Sequence, residues 1–192
     1  MTNVTPELDA RFRAAAAGTG LLDAAYDLVD TPLGTLLVAA TDAGLVRISF
    51  DPEPDRELDQ LSRLLGTRIL RVAKPVDDVR RQLDEYFERR RTEFDLALDL
   101  RLSADFSRRV LEELSKVPYG ETTTYGALAA RAARPRAARA VGTVMNRNPI
   151  PIVLPCHRVV GSTGSLVGYG GGLERKEQLL TLEGALLEGA LL

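Results

Sequence analysis

Residues 124–158 read TYGALAARAARPRAARAVGTVMNRNPIPIVLPCHR, and this stretch decides the second half of the fold. Thr124 is a suitable helix N-cap for the Ala- and Leu-rich run from Tyr125 to about Ala133. Pro135 suits the first turn of a further helix reaching about Asn146, because a first-turn N–H has no intrahelical partner to lose. Helix, short break, helix, the second rich in Arg and small residues, is the outline of a helix-turn-helix. Many helical pairs share that outline, so by itself it is a weak signal. Then Asn148 to Pro155 carries three prolines, Pro149, Pro151 and Pro155, which no helix accommodates. This segment is expected to be extended and stiff and to deliver Cys156 to a fixed place. A glycine-rich loop from Gly161 to Gly172 follows, then a last helix from Leu173 to about Gly184 with Leu179, Leu180 and Leu182.

Working outward, Ser103 or Asp105 is expected to cap a helix carrying Phe106, Val110, Leu111 and Leu114, which Pro118-Tyr119-Gly120 ends. Before it the pattern changes. Ala24–Asp30, Thr35–Thr41 and Leu45–Phe50 read as strands, joined by the turns Thr31-Pro32-Leu33-Gly34 and Asp42-Ala43-Gly44 into an antiparallel meander. Asp55–Leu65 and Val76–Arg91 read as helices, the second with Val79, Leu83, Tyr86 and Phe87 on one face. Phe94–Leu100 alternates and is expected to return as a strand. Arg11, Arg13 and Ala14–Ala17 suit a short helix or a loose arm. At the other end, Leu187-Glu188-Gly189-Ala190-Leu191 repeats Leu182-Glu183-Gly184-Ala185-Leu186 and reads as a dispensable extension. The class is α+β.

Apolar residues at 45% and charged residues at 27% describe an ordinary globular chain, and 192 residues suffice for one large domain or two small ones. No apolar run approaches the ~20 residues of a membrane helix, and no secretory signal opens the chain, so a cytoplasmic location without membrane partners is expected. One cysteine and one histidine exclude an intramolecular disulfide and the usual structural zinc site, so no metal is expected. The net charge of −2 hides an asymmetry: residues 1–100 hold 13 basic and 19 acidic side chains, residues 101–192 hold 12 and 8. Between Arg131 and Arg158 lie six arginines and no acid. A polyanion is a fair partner for such a segment. On charge alone, a solvated basic face is the commoner explanation.

The one cysteine and the one histidine are adjacent, Cys156-His157. A buried inert thiol is the common fate of a free cysteine. Here a proline-stiffened segment leads in and a glycine loop leads out, which suits a nucleophile. Positive charge nearby, from His157 or Arg158, would lower a thiol pKa from about 8.5 toward neutrality. Neighbours in sequence need not face each other, so a bridging water between thiol and imidazole is a natural arrangement.

Pro155-Cys156-His157-Arg158-Val159-Val160 resembles the active-site signature of the O6-alkylguanine-DNA alkyltransferases. Arg139-Ala140-Val141-Gly142, Asn148-Pro149, Gly168-Tyr169-Gly170-Gly171-Gly172-Leu173, Lys176, Glu183-Gly184, Tyr125 and Gly120-Glu121-Thr122 extend the likeness at the family's spacing. It is close over about 103–185 and looser before, through Thr31-Pro32-Leu33-Gly34 and Leu83-Asp84-Glu85-Tyr86-Phe87. The resemblance implies an RNase H-like N-terminal domain followed by a winged-helix-like helix-turn-helix C-terminal domain. The corresponding division is an extension at 1–22, an α/β domain at 23–101, a DNA-binding alkyltransferase domain at 102–187 and a tail at 188–192.

The resemblance also implies chemistry. Cys156 would accept a methyl or larger alkyl group from O6-alkylguanine, with O4-methylthymine a further candidate substrate, irreversibly and without a cofactor. His157 would take the thiol proton through water and Glu183 would orient His157, the logic of a catalytic triad. An exposed helix-end acid is the plainer reading of Glu183, and Glu188 is its duplicate in the repeated tail. Asn148 would tie the helix to the active-site segment, while an asparagine before proline equally suits a turn. The target base must be flipped out of the duplex. Arg139 would fill the vacated stack, since its planar guanidinium both stacks and hydrogen-bonds. Tyr125, otherwise a core aromatic at a helix start, would press on the 3′ phosphate. Ser107, Gly126, Arg134 and Ser162 would add DNA contacts. Val159, Tyr169, Gly170 and Pro151 would form the base pocket. The small residues around Arg139 would allow minor-groove approach. The partner is then double-stranded DNA bearing alkylated guanine, met by a monomer, with cooperative assembly on DNA an open variant. The rival readings are a non-catalytic binder of alkylated-DNA lesions, a helix-turn-helix regulator, and a Cys/His hydrolase. The presence of Cys156 disfavours the first, and the last would need its histidine far from the cysteine in sequence.

Overall fold

A computed structural model of the chain describes residues 20–186 continuously, together with Thr5, Glu7, Leu8, Arg11, Arg13, Ala15 and Ala16. The second copy of the C-terminal repeat and most of the N-terminal extension lie outside the described residues. Two compact units divide the chain. One holds the described residues up to Glu85 with Asp95–Asp99, the other Tyr86–Phe94 and the described residues from Leu100 onward.

The first unit is a four-stranded sheet in the order β3-β2-β1-β4. Strands β1 (Ala24–Thr31), β2 (Gly34–Thr41) and β3 (Gly44–Phe50) form the expected antiparallel meander. A short strand β4 (Ile69–Arg71) adds itself parallel to β1 and was not anticipated. Leu36 to Ala40 of β2 are buried without interruption, as in a strand covered on both faces. Helix α1 (Pro54–Leu65) starts with Pro54 and acidic Asp55 and Glu57, and ends with Arg63, which suits its dipole. Its Leu61 and Leu65 pack with Leu37, Ala39 and Val46. Helix α2 (Asp77–Phe87) stops four residues short of the expected Arg91. The alternating Phe94–Leu100 forms only an isolated bridge, Leu45 with Leu98. The Gln82 side chain satisfies both the N–H and the carbonyl of Asp95, so that residue has no need of a strand partner.

The second unit begins with α3 (Asp105–Ser115), which buries Val110, Leu111 and Leu114. Its N-cap is Ala104 with no side-chain cap, so neither Ser103 nor Asp105 plays the expected part. Helix α4 (Tyr125–Arg131) is capped as expected: Thr124 Oγ1 accepts from the Ala127 N–H at 3.2 Å. Helix α5 (Ala138–Asn146) starts later than Pro135, because Arg134–Ala137 closes a separate turn, Ala137 N–H to Arg134 carbonyl at 2.9 Å. The pair β5 (Thr123–Thr124) and β6 (Val159–Val160) runs parallel and links the start of α4 to the segment just after Cys156. Helix α6 (Leu173–Leu182) closes the unit. Among the described residues no helix is long and apolar enough to cross a membrane.

Candidate active site

The proline segment does not lie on the surface: Ile150, Ile152 and Leu154 are all buried. Its chain turns tightly, with the Leu154 N–H bonded to the Ile150 carbonyl at 2.9 Å and Ile152 at φ 74°, a left-handed value rare for a β-branched residue. The segment then enters a single 3₁₀ turn, Cys156–Arg158. Asn148 bonds in two directions. Its Oδ1 accepts from the Ile150 N–H at 3.1 Å, closing the local turn. Its Nδ2 donates to the Leu154 carbonyl at 2.7 Å and to Cys156 Sγ at 3.0 Å.

Cys156 is buried, and that burial pushes its thiol up to about 11, against the pull of the Asn148 hydrogen bond and the Lys176 charge. The expectation that His157 and Arg158 would lower the thiol pKa does not hold. The 3₁₀ turn aims both toward Glu183. His157 Nε2 lies 2.9 Å from Glu183 Oε1, and Arg158 donates Nη2 to Oε1 and Nε to Oε2, each at 2.9 Å. Glu183 is therefore no exposed helix-end acid; its side chain is fully buried, and Glu188 lies outside the described residues. Burial would raise the Glu183 pKa, but the bonds from His157 and Arg158 prevail and hold it at about 2. Burial lowers the His157 pKa, while Glu183 opposes the change. His157 Nδ1 is buried and has no hydrogen-bond partner among the described residues. Gly120, at φ +76°, also approaches this carboxylate, its N–H 3.3 Å from Oε2; a Cβ there would stand 3.0 Å from the Glu183 carbonyl.

Two members of the cluster were missed as site residues. Lys176 is fully buried, and its Nζ bonds the carbonyls of Val159 at 2.5 Å and Val167 at 2.8 Å, pinning the glycine loop to the active-site segment. Burial brings its pKa down to about 8, with the neighbouring Cys156 opposing. The signal was available: a lysine three and four residues before the buried Leu179 and Leu180 sits on the apolar face of α6. Tyr86 is fully buried and donates its hydroxyl to Glu183 Oε1 at 2.6 Å. Nothing local distinguishes its tip from that of any core aromatic.

The remaining candidates form a less connected set. Gly126, Arg134, Arg139 and Ser162 are exposed; Ser107 and Tyr125 are half-buried. Arg134 lies over the Phe106 ring, 4.8 Å from its centroid. The Tyr125 hydroxyl donates to the Val167 carbonyl at 3.0 Å, bracing the glycine loop. Among the described residues, Ser107 and Ser162 stand outside the hydrogen-bonded pairs Asn148–Cys156 and His157–Glu183. Of the pocket candidates, Val159 and Pro151 are buried, Tyr169 is half-buried and Gly170 is exposed. A Cβ on Gly170 would meet the Asn146 carbonyl at 3.1 Å, so the loop passes close to the end of α5.

Residues 24–100 match the family described as 6-O-methylguanine DNA methyltransferase, ribonuclease-like domain, and residues 105–185 match its DNA binding domain. The methylated-DNA–protein-cysteine methyltransferase of Mycolicibacterium paratuberculosis is 44% identical, over 82% of this chain and 91% of its own. That of Methanosarcina barkeri is 41% identical, over 82% and 96%. A crystal structure of Mycobacterium tuberculosis OGT in complex with DNA superposes with a TM-score of 0.74 at 40% identity, covering 84% of this chain and 93% of the other.

Proposed function

The chain belongs to the 6-O-methylguanine DNA methyltransferase family, and we propose from that membership and from the site's geometry how it repairs DNA by alkyl transfer to cysteine. Its partner is DNA. The acceptor is Cys156, the one cysteine in the chain. The observation that carries this reading is a pair of hydrogen bonds made by adjoining residues of one 3₁₀ turn, Asn148 Nδ2 to Cys156 Sγ and His157 Nε2 to Glu183 Oε1, with His157 Nδ1 buried and without a partner among the described residues.

The resting thiol is neutral, so attack requires that its proton leave as the bond forms. His157 receives that proton at Nδ1 through a bridging water, and Glu183, held ionised, stabilises the imidazolium that results. Sγ attacks the alkyl carbon in line; the bond to guanine O6 breaks, its electron pair stays with the base, and the anion so formed takes up one proton from water at N1 while the imidazolium returns its own to water. The product is a thioether and a restored guanine, so each molecule acts once and needs no cofactor. Asn148 orients the sulfur through Nδ2. Lys176 holds the Val159 carbonyl, and with it the backbone that would read the edge of the guanine.

The substrate is alkylated guanine in double-stranded DNA, approached by a monomer through the minor groove. Arg139, exposed on α5, fills the gap left by the flipped base. Gly126, Arg134, Ser107 and Ser162 lie along the DNA. Tyr125 contributes chiefly by bracing the glycine loop, since its hydroxyl proton is already given to Val167. Val159, Pro151, Tyr169 and Gly170 wall the base pocket. The cell compartment that fits this work is the cytoplasm.

The test is an intact-mass titration with a duplex carrying one O6-methylguanine, on wild type and Cys156→Ala side by side. One methyl gained by the wild type alone, with guanine restored, is the expected result. An unchanged mass with preferential binding of the lesion duplex would make the protein a lesion sensor and end the catalytic reading.

A further inference from the structure

Glu183 Oε1 accepts three hydrogen bonds: from His157 Nε2 at 2.9 Å, Arg158 Nη2 at 2.9 Å and Tyr86 Oη at 2.6 Å. Two of these partners have evident reasons. His157 needs the carboxylate to orient it, and a buried guanidinium needs a counter-charge. The third does not. A phenol at the end of a helix face read as core could have been a phenylalanine, as Phe87 beside it is.

We propose that Tyr86 is a positioning residue for alkyl transfer: its hydroxyl, by occupying the oxygen that His157 also uses, limits how strongly Glu183 draws a proton onto the imidazole. A carboxylate that accepts a further short bond spreads its charge and becomes a weaker acceptor toward its other partners. His157 must be neutral to receive the Cys156 proton. A bare Glu183–His157 pair in a buried site would favour imidazolium before any substrate arrived, leaving no base. Burial and the Arg158 charge already oppose this, and Tyr86 adds to the restraint without adding a charge.

The arrangement is rigid enough for the role. The Tyr86 ring is wedged against Phe87, Phe94 and Tyr119, with centroids 5.3, 5.3 and 6.0 Å away. Burial, with Glu183 adding to it, drives the phenol pKa far above its ordinary value, so Tyr86 stays a donor at every working pH. The other charged or titratable groups facing the pair are Cys156 and Arg158 on its own turn, Lys176 on α6, Tyr169 in the glycine loop and Tyr119 before β5. Tyr119 gives its hydroxyl to the Leu182 carbonyl instead, and Arg158 brings a full charge. Apart from His157 itself, Tyr86 is thus the neutral side-chain donor on this carboxylate among the described residues.

The inference rests on His157 as the base of the proposed reaction, and the test separates the two. His157 is the one histidine in the chain, so its imidazole titrates by NMR without assignment in untagged protein. Tyr86→Phe removes one bond to a charged acceptor. The His157 pKa should rise by about one unit, and the acid limb of the methyl-transfer rate should move up by the same amount. The plateau rate at higher pH should be retained. A merely structural tyrosine would lower the melting temperature and scale the rate at every pH, without moving the limb. A folded Tyr86→Phe protein with an unmoved imidazole titration and rate profile would overturn the inference. If that variant does not fold, a fluorotyrosine placed at the same position keeps the shape and strengthens the donor. His157 should then titrate lower, and no change would overturn the inference equally. A wild type that takes no methyl fails in the same assay before any variant is made, and sinks the alkyl-transfer reading itself.

Discussion

Glu183 concentrates more of the site's energetics than any other side chain. It is buried against Arg158, His157, Tyr86 and the Gly120 N–H, and its carboxyl is held at about 2, far below an ordinary glutamate. A group whose folded pKa is depressed adds stability that is fully present above its unfolded value and is lost as pH falls toward the folded one. Glu183→Gln removes that contribution and leaves Arg158 buried without a counter-charge. The variant should lose about 3–5 kcal/mol near neutrality. The gap in melting temperature between the two proteins should narrow as pH falls from about 4.5 toward about 2. A gap that stays constant across that range would mean the carboxylate charge is not what stabilises the fold. The adjacency of Cys156 and His157 was plain in the sequence, but their divergence was not. A 3₁₀ turn rotates successive side chains by about a third of a circle, so the thiol meets Asn148 while the imidazole meets Glu183, 26 residues away.

The helices and strands were legible where local chemistry decides them. The meander of β1 to β3, the Thr124 cap and the helix pair α4–α5 follow from alternation, turn residues and a side-chain oxygen. Elements decided by distant partners were not legible. Strand β4 is three residues long and exists because β1, some 45 residues earlier, offers it an edge. The expected strand at Phe94–Leu100 failed for the complementary reason, since a side chain, Gln82, satisfies part of its backbone. Helix α5 opens later than Pro135 suggests, and this sets the place of Arg139 in its first turn. If Arg139 stands in for the flipped base, Arg139→Ala should slow transfer from a duplex by about 10- to 100-fold, the equivalent of a few kcal/mol of lost stacking support. Transfer from free O6-methylguanine base, which needs no flipping, should be nearly unchanged. Equal losses on both substrates would place Arg139 in the chemistry instead.

Across the whole molecule, the six arginines between Arg131 and Arg158 divide by environment. Arg131, Arg134, Arg136, Arg139 and Arg147 are exposed, whereas Arg158 is buried on Glu183. Five solvent-facing charges bound the salt dependence of DNA binding from this segment. The slope of log affinity against log salt should be no steeper than about −4.5, at roughly −0.9 per phosphate neutralised. A steeper slope would require cations elsewhere in the chain. Alkylation, in turn, adds a methyl to a sulfur that is already buried beside Asn148. Overpacking costs about 1–3 kcal/mol, so the spent protein should melt about 2–12 °C lower; an equal or higher melting point would show that the site has room. The same enclosure also governs shelf life. A protein consumed by one event is wasted by any peroxide or stray electrophile that reaches it first, and such agents select exposed thiolates. Cys156 offers them a protonated sulfur at 3% exposure. The unspent pool is thereby kept in reserve until a damaged base is seated against it.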